Sequence, residues 1–562
     1  MNNGNGNGNG NGITTKTKQL VDDLKSICAN HGLGGDGNEY KIITEVFLYK
    51  FMNDKFFYEV RQIEGGKYAN AENLEETLRD LSDEDYEIVL LNISQDTAQL
   101  KREHFLSNLY NSQNRPEFAK LFDDTMRDVA IFNADIFSVG TAGGEKVRLF
   151  SGISNYVTEE AMRDGFCRAI INRLFEFSFS EVFSQKYDFF ATIFEYLIKD
   201  YNKDSGGKYA EYYTPHAVAR IMAEILVVGE VSNALCYDPS AGTGSLLMSL
   251  AHQIGEDRCT IYSQDISQKS STLLRLNLIL NNLAHSLPNV VQGNTMLVPY
   301  HMRKKITFEY IVSNPPFNLD FSDWRNDIDA SKEGVRDNEG VFAARFFAGV
   351  PNIPNKKKDS MAIYLLFIQH IISSLKPNGK AAVVVPTSFL NDGKGKVTSI
   401  ANKIRMCLIN EGTLRAVVSM PSNIFANTPT SVSIVFIDKA NDSGIAVFVD
   451  ATNLGTKVRD GNNQKTLLSP EEEELIIDTV NGAAWVEGFS VVKSFAEIKE
   501  AGYAFNPGSY FEIKIKQSDM TKAEFSERMA TSKMNLKAMF DEASVLESEI
   551  LSTFGGFVYE QL

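Results

Sequence analysis

Residues 234–245 read Ala-Leu-Cys-Tyr-Asp-Pro-Ser-Ala-Gly-Thr-Gly-Ser, which is an apolar run followed by a turn of small residues and the start of a helix. The run has the length of a buried strand. Glycines in the turn let a ligand approach the backbone, and the N-terminus of the following helix offers free N–H groups. The spacing is not Gly-x-Gly-x-x-Gly and contains no Gly-Lys-Ser/Thr, which disfavours a dinucleotide or P-loop site. Asp238 suits a cationic group such as an amino acid ammonium, and the alternative is a tight structural turn.

The next apolar runs repeat this arrangement. Residues 259–265 and 308–313 read as strands, and a run between them ends in Gly293-Asn294-Thr295. Alternating strands and helices predict an α/β fold with a doubly wound, mostly parallel sheet. Strand ends of such a sheet meet at one edge, so we expect Asp238, Asp265 and Asn294 to lie together. Asp265 has the spacing from the glycine turn at which an acid reaches ribose hydroxyls.

The strand at 308–313 ends in Ser313-Asn314-Pro315-Pro316-Phe317. Two prolines cannot continue a strand ladder, so the chain must break into a rigid turn there. The Asn314 side-chain oxygen and the Pro315 carbonyl can accept hydrogen bonds from one amine, and Phe317 can stack on a flat base. Taken alone, the turn is either a site for a planar amine or an ordinary turn with Asn before Pro.

A polar and aromatic stretch precedes the first strand and reads Glu211-Tyr212-Tyr213-Thr214-Pro215-His216. Thr214 fits the N-cap, and Pro215 the first position, of a helix that continues through 217–227. The tyrosine pair fits either a wall of an adenosine pocket or a packed loop, and alone it favours the loop. His216 fits the first turn of the helix better than a metal site.

Composition and charge limit the class of protein. The 562 residues are 43% hydrophobic and 23% charged, as in a soluble globular protein of several domains. No apolar run is long enough to span a membrane, and the scattered cysteines indicate reduced thiols in a cytosolic protein without structural zinc. The net charge of −16 argues against a broad basic surface that binds nucleic acid alone. Local contact with nucleic acid, or recruitment by a basic partner, remains open.

The flanking regions are assigned from composition and periodicity. Residues 1–12 form an Asn-Gly repeat that predicts a disordered leader, and residues 13–150 predict a helical N-terminal domain. The α/β domain is placed at 151–450 and a C-terminal region with a long amphipathic helix at 451–562. The segment 318–358 contains Arg345 and the run Lys356-Lys357-Lys358. It is either a loop that closes on a substrate or a solvated insertion.

In this order the motifs resemble those of a class I (Rossmann-like) S-adenosylmethionine-dependent methyltransferase acting on an exocyclic amino group. The resemblance equates the loop 238–245 with the methionine-binding motif, Asp265 with the ribose-binding acid and residues 314–317 with the catalytic motif. Residues 211–215 match the additional cofactor motif of N6-adenine DNA enzymes. They precede the glycine turn, and this order of motifs along the chain is the gamma arrangement of those enzymes. Direct methyl transfer would need no cysteine nucleophile.

The resemblance narrows to the modification (M) subunit of type I restriction–modification systems. Asn294 stands where many adenine enzymes have Asp, and residues 375–386 and 417–425 are also similar to that subunit. A site-specific DNA adenine N6-methyltransferase is implied, which transfers methyl from S-adenosylmethionine to a flipped adenine and protects host DNA from restriction. The implied partners are DNA, a specificity (S) subunit that the C-terminal helix contacts, a second M subunit and, where a nuclease joins, a restriction (R) subunit. The implied location is the cytoplasm of a prokaryote.

The same resemblance assigns the site residues. The catalytic residues would be Asn314, Pro315, Pro316 and Phe317. The cofactor would be held by Glu211, Tyr212, Tyr213, Thr214, Pro215, His216, Asp238, Ser240, Ala241, Gly242, Thr243, Gly244, Ser245, Asp265, Asn294 and Thr295. Two alternatives stay open. One is a methyltransferase for an RNA or protein amine, since such enzymes share Asn-Pro-Pro, and the other is an inactive scaffold that binds the cofactor and partners.

Overall fold

The structure of the chain is a computed structural model that divides into two units, Met1–Tyr510 and Phe511–Leu562. It describes residues 7–511 and 521–555, except for 35–36, 64, 95–96, 138, 142–145, 148, 151, 181–182, 184–195, 197–213, 329–344, 392–398, 426–430 and 461–462. The first unit is built around one large sheet, which confirms the predicted α/β fold class.

The strands of the described residues lie between Val139 and Ser494. They are β1 (Val139–Thr141), β2 (Lys146–Val147), β3 (Ala234–Asp238), β4 (Cys259–Asp265), β5 (Val290–Gln292), β6 (Phe308–Ser313), β7 (Leu375–Pro386), β8 (Leu414–Ser419), β9 (Val432–Asp438), β10 (Ile445–Asp450), β11 (Thr456–Asp460), β12 (Asn463–Leu467) and β13 (Ser490–Ser494). The large sheet has 11 strands in the order β13-β10-β8-β9-β7-β6-β3-β4-β5-β1-β2, and β11 and β12 form a separate two-stranded sheet.

Strand directions place the carboxyl ends of the central strands at one edge of the sheet. β3 is parallel to β4 and β6, and β5 is parallel to β4. β7 is parallel to β6, β9 is antiparallel to both of its neighbours, and β8 and β10 again run in the direction of β6. We call the edge at which β3 to β8 and β10, but not β9, end the carboxyl edge. Ser313 and Asp450 therefore both lie at this edge.

The strand bounds follow from the apolar runs. β3, β4 and β6 have the predicted bounds, because strands buried on both faces are rich in apolar residues. β7 is longer than its predicted apolar run at 381–385 and begins directly after a helix that ends at Ser374. Leu375 pairs with Phe308 and Lys380 with Tyr310, so the register shifts between these pairs and residues 376–379 have no strand-pairing partner in β6.

Helices form most of the described N-terminal region, alternate with the strands of the first unit and make up nearly all of the described part of the second unit. They are α1 (Asn7–Asn30), α2 (Gly37–Gln62), α3 (Leu74–Arg79), α4 (Asp83–Asn92), α5 (Leu106–Ser112), α6 (Phe118–Phe132), α7 (Ala134–Phe137), α8 (Glu160–Phe175), α9 (His216–Leu226), α10 (Ser245–Ile254), α11 (Gln268–Leu280), α12 (Tyr300–Arg303), α13 (Arg325–Ile328), α14 (Tyr364–Ser374), α15 (Ile400–Asn410), α16 (Pro470–Asn481), α17 (Phe495–Glu500) and α18 (Lys522–Gly555).

The N-terminal helices and the sheet share one hydrophobic core. Buried side chains of α2 and α6, such as Phe47 and Phe122, belong to the same cluster as Leu247 of α10. β1 pairs with β5, and Arg275 donates a hydrogen bond to the Phe137 carbonyl at 3.0 Å. The sheet also extends past residue 450, because β13 pairs with β10. The division into domains at 150 and 450 therefore stays a prediction.

The first and last described segments of the chain are helices. α1 begins at Asn7, inside the Asn-Gly repeat for which the composition predicts disorder. Extending an existing helix costs less than starting one, so a helix held by buried Leu20 and Leu24 can continue into poor helix formers. In the second unit α18 leaves its apolar side chains exposed, among them Phe525, Leu536 and Phe540. Among the described residues no helix has the length and apolarity needed to cross a membrane.

Candidate methyl-transfer site

A cavity of about 190 Å³ lies at the carboxyl edge of the sheet. It is lined by residues from the ends of β3, β4 and β6, from the loop after β5 and from the start of α10. Of the predicted site residues, the cavity is lined by Thr214, Asp238, Ser240, Ala241, Ser245, Asp265, Asn294, Thr295, Asn314 and Pro316. The structure therefore brings the strand-end motifs together in one place, as the parallel topology requires.

Asp238 is the most buried acid of the cavity and is held by two serines. Its Oδ1 accepts hydrogen bonds from the Ser240 backbone N–H at 2.9 Å and from Ser313 Oγ at 2.9 Å. Burial raises the pKa of Asp238 to about 7, the serine hydrogen bonds act in the opposite direction, and the nearby charge of Asp265 raises it further. Its described partners all bind Oδ1, so Oδ2 can pair with a cation in the cavity.

Ser313 also connects this acid to the proline turn. It is fully buried at the end of β6, directly before Asn314, and its Oγ lies 2.7 Å from Ser240 Oγ. A change in the position of Asp238 is thereby transmitted to the residue that begins the turn. No sequence motif indicated this link, because it joins side chains of β3 and β6 that are distant in the chain.

The glycine turn is positioned by Asp265. The carboxylate accepts hydrogen bonds from the Gly242 N–H on Oδ2 and the Ser267 N–H on Oδ1, each at 2.8 Å. Burial raises its pKa. Gly244, with φ of +85°, caps α10, and a Cβ there would overlap Cδ1 of Leu274. The turn therefore needs glycine at 244, and Asp265 has both a structural partner and a surface on the cavity.

The loop after β5 fixes Asn294 and Thr295. Asn294 Oδ1 accepts hydrogen bonds from the backbone N–H groups of Met296 at 2.9 Å and Leu297 at 3.3 Å. Thr295 Oγ1 donates to the Pro239 carbonyl at 2.7 Å. Behind them the fully buried Arg345 donates to the carbonyls of Thr295 and Met296. Arg345 is thus part of the support of the cavity, so at this residue the segment 318–358 is neither a solvated insertion nor a surface for a substrate.

The proline turn presents Asn314 to the cavity. Asn314 Nδ2 donates to Thr214 Oγ1 at 3.3 Å, which directs the amide nitrogen towards the protein and leaves Oδ1 to accept hydrogen bonds from a ligand. Pro316 lines the cavity and Pro315 is buried beneath it. Phe317 is half-buried and meets Tyr364 edge-on, with ring centroids 6.3 Å apart.

Several predicted residues lie beside the cavity rather than in its lining. Gly242, Thr243 and Gly244 support the turn, and Pro215 caps α9, so the helix begins one residue later than predicted and Thr214 is not its N-cap. The reason is that the Thr214 hydroxyl is used by Asn314. His216 is exposed at the first position of α9. Glu211, Tyr212 and Tyr213 lie outside the described residues.

Apolar side chains that the sequence motifs did not include complete the lining. Ile266 follows the strand-end acid and is 65% exposed, Leu319 and Trp324 come from the segment after the turn, and Phe367 comes from α14. The sequence offered one signal for Ile266: it is an isolated apolar residue directly after Asp265, the acid at the end of β4. Leu319 and Trp324 had no periodicity that could have marked them.

The charge of the cavity restricts its ligand. Among the described lining residues there are two carboxylates, Asp238 and Asp265, and no cationic side chain. A phosphate group would meet negative charge there, whereas a cation with a ribose and a flat apolar ring would find an acid, polar groups and apolar walls. A second cavity, of about 940 Å³, lies at the opposite edge beside Asn233 and Cys259, and it contains none of the motif residues.

Comparisons with known proteins agree with this arrangement. The N-6 DNA Methylase family matches residues 185–519. The chain is 26% identical over 344 residues to the type I restriction enzyme MpnII methylase subunit of Mycoplasma pneumoniae, covering 59% of each chain. It is 27% identical over 408 residues to the type I restriction enzyme MjaIX methylase subunit of Methanocaldococcus jannaschii, covering 69% of this chain and 66% of that one. Both matches span less than two thirds of the relative.

Solved structures show the same fold. A type I restriction-modification system methyltransferase subunit from Streptococcus thermophilus superposes with a TM-score of 0.69 at 20% identity, over 89% of this chain and 100% of that one. A modification subunit of a type I restriction enzyme from Vibrio vulnificus gives a TM-score of 0.50 at 18% identity, over 88% and 96%. With the family match covering more than half of the sequence and the motifs gathered at one cavity, the chain belongs to the N-6 DNA Methylase family.

Proposed function

We propose that this chain is the modification subunit of a type I restriction–modification complex and methylates N6 of adenine in DNA with S-adenosylmethionine. One observation carries the proposal: Asn314 of the Asn-Pro-Pro-Phe turn opens into the same cavity as the strand-end acids Asp238 and Asp265. An acceptor for an amine and a binding site for a cationic nucleoside thus share one cavity. Family membership and the names of the relatives support the same conclusion.

The residues of the cavity fit the cofactor. Asp238 Oδ2 would accept the ammonium of its methionine part, and Asp265 would accept ribose hydroxyls on lone pairs that Gly242 and Ser267 leave free. Ile266 and Phe367 would pack on the adenine ring. The bound cofactor supplies an activated methyl group, so the protein needs no nucleophile of its own.

The turn would orient the substrate amine. The exocyclic nitrogen of adenine is a poor nucleophile because its lone pair is delocalised into the ring. Asn314 Oδ1 and the Pro315 carbonyl would each accept one of its hydrogens, which holds the nitrogen in position and stabilises the positive charge that develops on it. The hydrogen bond from Asn314 Nδ2 to Thr214 fixes the amide in the orientation that this role requires.

The substrate base must leave the duplex to reach the cavity. A base within a duplex cannot approach Asn314, so base flipping is implied, and Phe317, which directly follows Pro316, would stack on the flipped adenine. The hydrogen bond from the Leu319 N–H to the Met361 carbonyl brings the exposed run at 356–358 close to the turn. These lysines would contact phosphates beside the flipped base.

A specificity subunit would supply recognition of the DNA sequence. The net charge of −16 is unfavourable for binding to DNA through the whole surface of this chain. The exposed apolar side chains of α18 recur at the three- and four-residue intervals of a helix that packs on partner helices. We therefore propose that α18 binds the specificity subunit, in a complex that contains a second modification subunit and, where a nuclease joins, a restriction subunit.

The experiment is transfer of labelled methyl from S-adenosylmethionine to host DNA, followed by identification of the labelled base. We expect N6-methyladenine when the chain is combined with the specificity subunit encoded beside it, and none with either protein alone. Label in RNA or protein but not in DNA would reject the proposed substrate. Cofactor binding without transfer to any of the three would reject the proposed activity and favour a scaffold.

A further inference from the structure

The β11–β12 hairpin is a described part of the first unit that belongs neither to the large sheet nor to the cavity. It forms its own two-stranded sheet, with Thr456 paired to Leu467 and Asp460 paired to Asn463. A hairpin of this size is at best marginally stable alone, so its position depends on what holds its base. Among the described residues it contributes no strand to the large sheet and no residue to the lining of the methyl-transfer cavity, and its exposed face is a candidate binding surface.

The base of the hairpin is fixed to the carboxyl edge. Thr466 is buried, its N–H donates to the Asn423 carbonyl at 3.0 Å, and its Oγ1 donates to the Ser422 carbonyl at 2.7 Å. Both acceptors lie in the loop that follows β8. The Gly455 N–H donates to Glu472 Oε1 at 2.8 Å. The hairpin also follows β10, whose end lies at the same edge as Ser313 of the catalytic strand.

One face of the hairpin is cationic and exposed. Lys457 pairs with Thr466 and Arg459 pairs with Gln464, so these four residues lie on the same face of the ribbon. Lys457, Arg459 and Gln464 are exposed, and Thr466 forms the anchor. Glu472, the carboxylate that contacts the base of the hairpin, accepts hydrogen bonds from the backbone N–H groups of Gly455 and Ser469. Two cations beside an amide on a rigid ribbon are suited to phosphate oxygens.

The distance from the cavity suits a DNA duplex. β10 is four strand positions from β6 in the sheet order, which corresponds to about 19 Å along the edge at the usual strand spacing. That is about half a helical turn of B-DNA. A duplex whose flipped base enters the cavity can therefore extend along the carboxyl edge and present its phosphates to the hairpin.

We propose that the exposed face formed by Lys457, Arg459 and Gln464 binds the phosphate backbone of the DNA whose adenine enters the methyl-transfer cavity. The inference rests on the proposed function, since it takes duplex DNA as the substrate. It adds a contact surface on this chain itself, within a protein whose overall charge opposes DNA binding. Recognition of sequence is not part of this role, because phosphate contacts orient a duplex without identifying its bases.

The test uses the complex with the specificity subunit and a fluorescent duplex of mixed sequence. The hairpin variant is Lys457→Gln with Arg459→Gln. The control is Lys304→Gln with Lys305→Gln, two exposed lysines that precede β6 and so lie at the opposite edge of the sheet. DNA affinity is measured between 0.05 and 0.2 M salt, together with cofactor affinity and thermal melting, which we expect both variants to retain.

Each phosphate contact contributes about 0.9 to the slope of log affinity against log salt, so losing two contacts lowers the slope by about 1.8. The affinity ratio of parent to hairpin variant should then fall about tenfold between the two salt concentrations, while the control follows the parent. A hairpin variant with the slope of the parent, or a control with an equal loss, would overturn the inference.

The two proposals fail in different ways. If the parent complex neither binds nor methylates DNA, the proposed function is wrong. If the parent methylates DNA and the hairpin variant binds it with an unchanged slope, only the inference is wrong. A hairpin variant that no longer assembles with the specificity subunit, yet keeps the slope in whatever complex forms, would assign the hairpin to a protein interface and overturn the contact with DNA.

Discussion

At the scale of single residues, Asp238 determines how the cavity responds to pH. Burial and the charge of Asp265 raise the pKa of this carboxyl from its usual 3.8 to about 7. The hydrogen bonds from Ser240 and Ser313 lower the pKa and offset part of this rise. Because the folded state holds this proton more tightly than the unfolded state, Asp238 stabilises the cofactor-free protein at low pH. That contribution is lost as the pH rises towards about 7.

Cofactor binding should show the opposite dependence on pH. Below about 7 the Asp238 carboxyl is protonated and cannot form an ion pair with the cofactor ammonium. We expect the affinity for S-adenosylmethionine to rise about tenfold per pH unit up to that pKa and then to level off. Calorimetric titration between pH 5.5 and 7.5 measures this, and Asp238→Asn should bind weakly with no such dependence. An equally steep dependence in Asp238→Asn would assign the titration to another group.

The residues of the site were predictable where a motif is local in sequence. Asp238, Asp265, Asn294 and Asn314 stand at strand ends, and strand ends can be read from apolar runs. Contacts that join distant segments were not predictable, such as Ser313 with Asp238 or Asn314 with Thr214. Thr214 is an example. Its local sequence predicts a helix N-cap, whereas in the structure its hydroxyl accepts a hydrogen bond from Asn314, a residue that is distant in the chain.

At the scale of elements, the buried strands were the most predictable features. β3, β4 and β6 have the predicted bounds, because in each of them apolar residues lead to a polar strand end. The β11–β12 hairpin was missed, because Lys457, Arg459 and Lys465 interrupt the apolar pattern that marks a buried strand. Its strands are held by pairing with each other and by the anchor at Thr466, neither of which depends on an apolar run.

The segment 318–358, which follows the proline turn, should depend on Arg345 for its position. The buried Arg345 side chain connects this segment to the loop after β5, because it donates hydrogen bonds to the carbonyls of Thr295 and Met296. Arg345→Met leaves both carbonyls without that donor, so we expect a loss of about 3 kcal/mol in stability and about tenfold weaker cofactor binding. Denaturant unfolding and calorimetry measure the two effects.

Arg405 provides the matched control. It is equally buried in α15 and donates to the carbonyls of Phe389 and Tyr503, none of which lines the cavity. Arg405→Met should lower stability by a similar amount and leave cofactor affinity unchanged. Equal effects of the two substitutions on cofactor affinity would show that Arg345 acts only through overall stability.

At the scale of the whole molecule, the chain combines a large first unit and a C-terminal unit with different surfaces. The first unit has a continuous core that includes the N-terminal helices. The second unit has a long helix whose apolar side chains are exposed, a pattern expected of a helix that is covered in a complex. The sequence predicted this helix from its periodicity. It could not reveal the shared core, which depends on contacts between distant segments.

The C-terminal helix provides a prediction about assembly. Leu536 lies on its apolar stripe and is 52% exposed, and the next residue, Lys537, lies about 100° further around the helix and outside the stripe. Leu536→Glu should abolish co-purification with the specificity subunit without changing thermal stability or cofactor binding of the chain alone. Lys537→Glu, with a larger change of charge, should assemble as the parent does. Assembly of the Leu536→Glu variant at parental affinity would exclude this stripe as the interface.

The measurement that tests the central claim most directly separates chemistry from cofactor binding at Asn314. In the complex with the specificity subunit, single-turnover methyl transfer to DNA and the affinity for S-adenosylmethionine are measured for the parent and Asn314→Ala. Removing the acceptor that orients the amine should slow transfer at least about 10³-fold. Because we assign cofactor binding to Asp238 and Asp265, the affinity for S-adenosylmethionine should change less than about threefold. Transfer at the parental rate in Asn314→Ala would contradict the assignment of the Asn-Pro-Pro-Phe turn as the catalytic element.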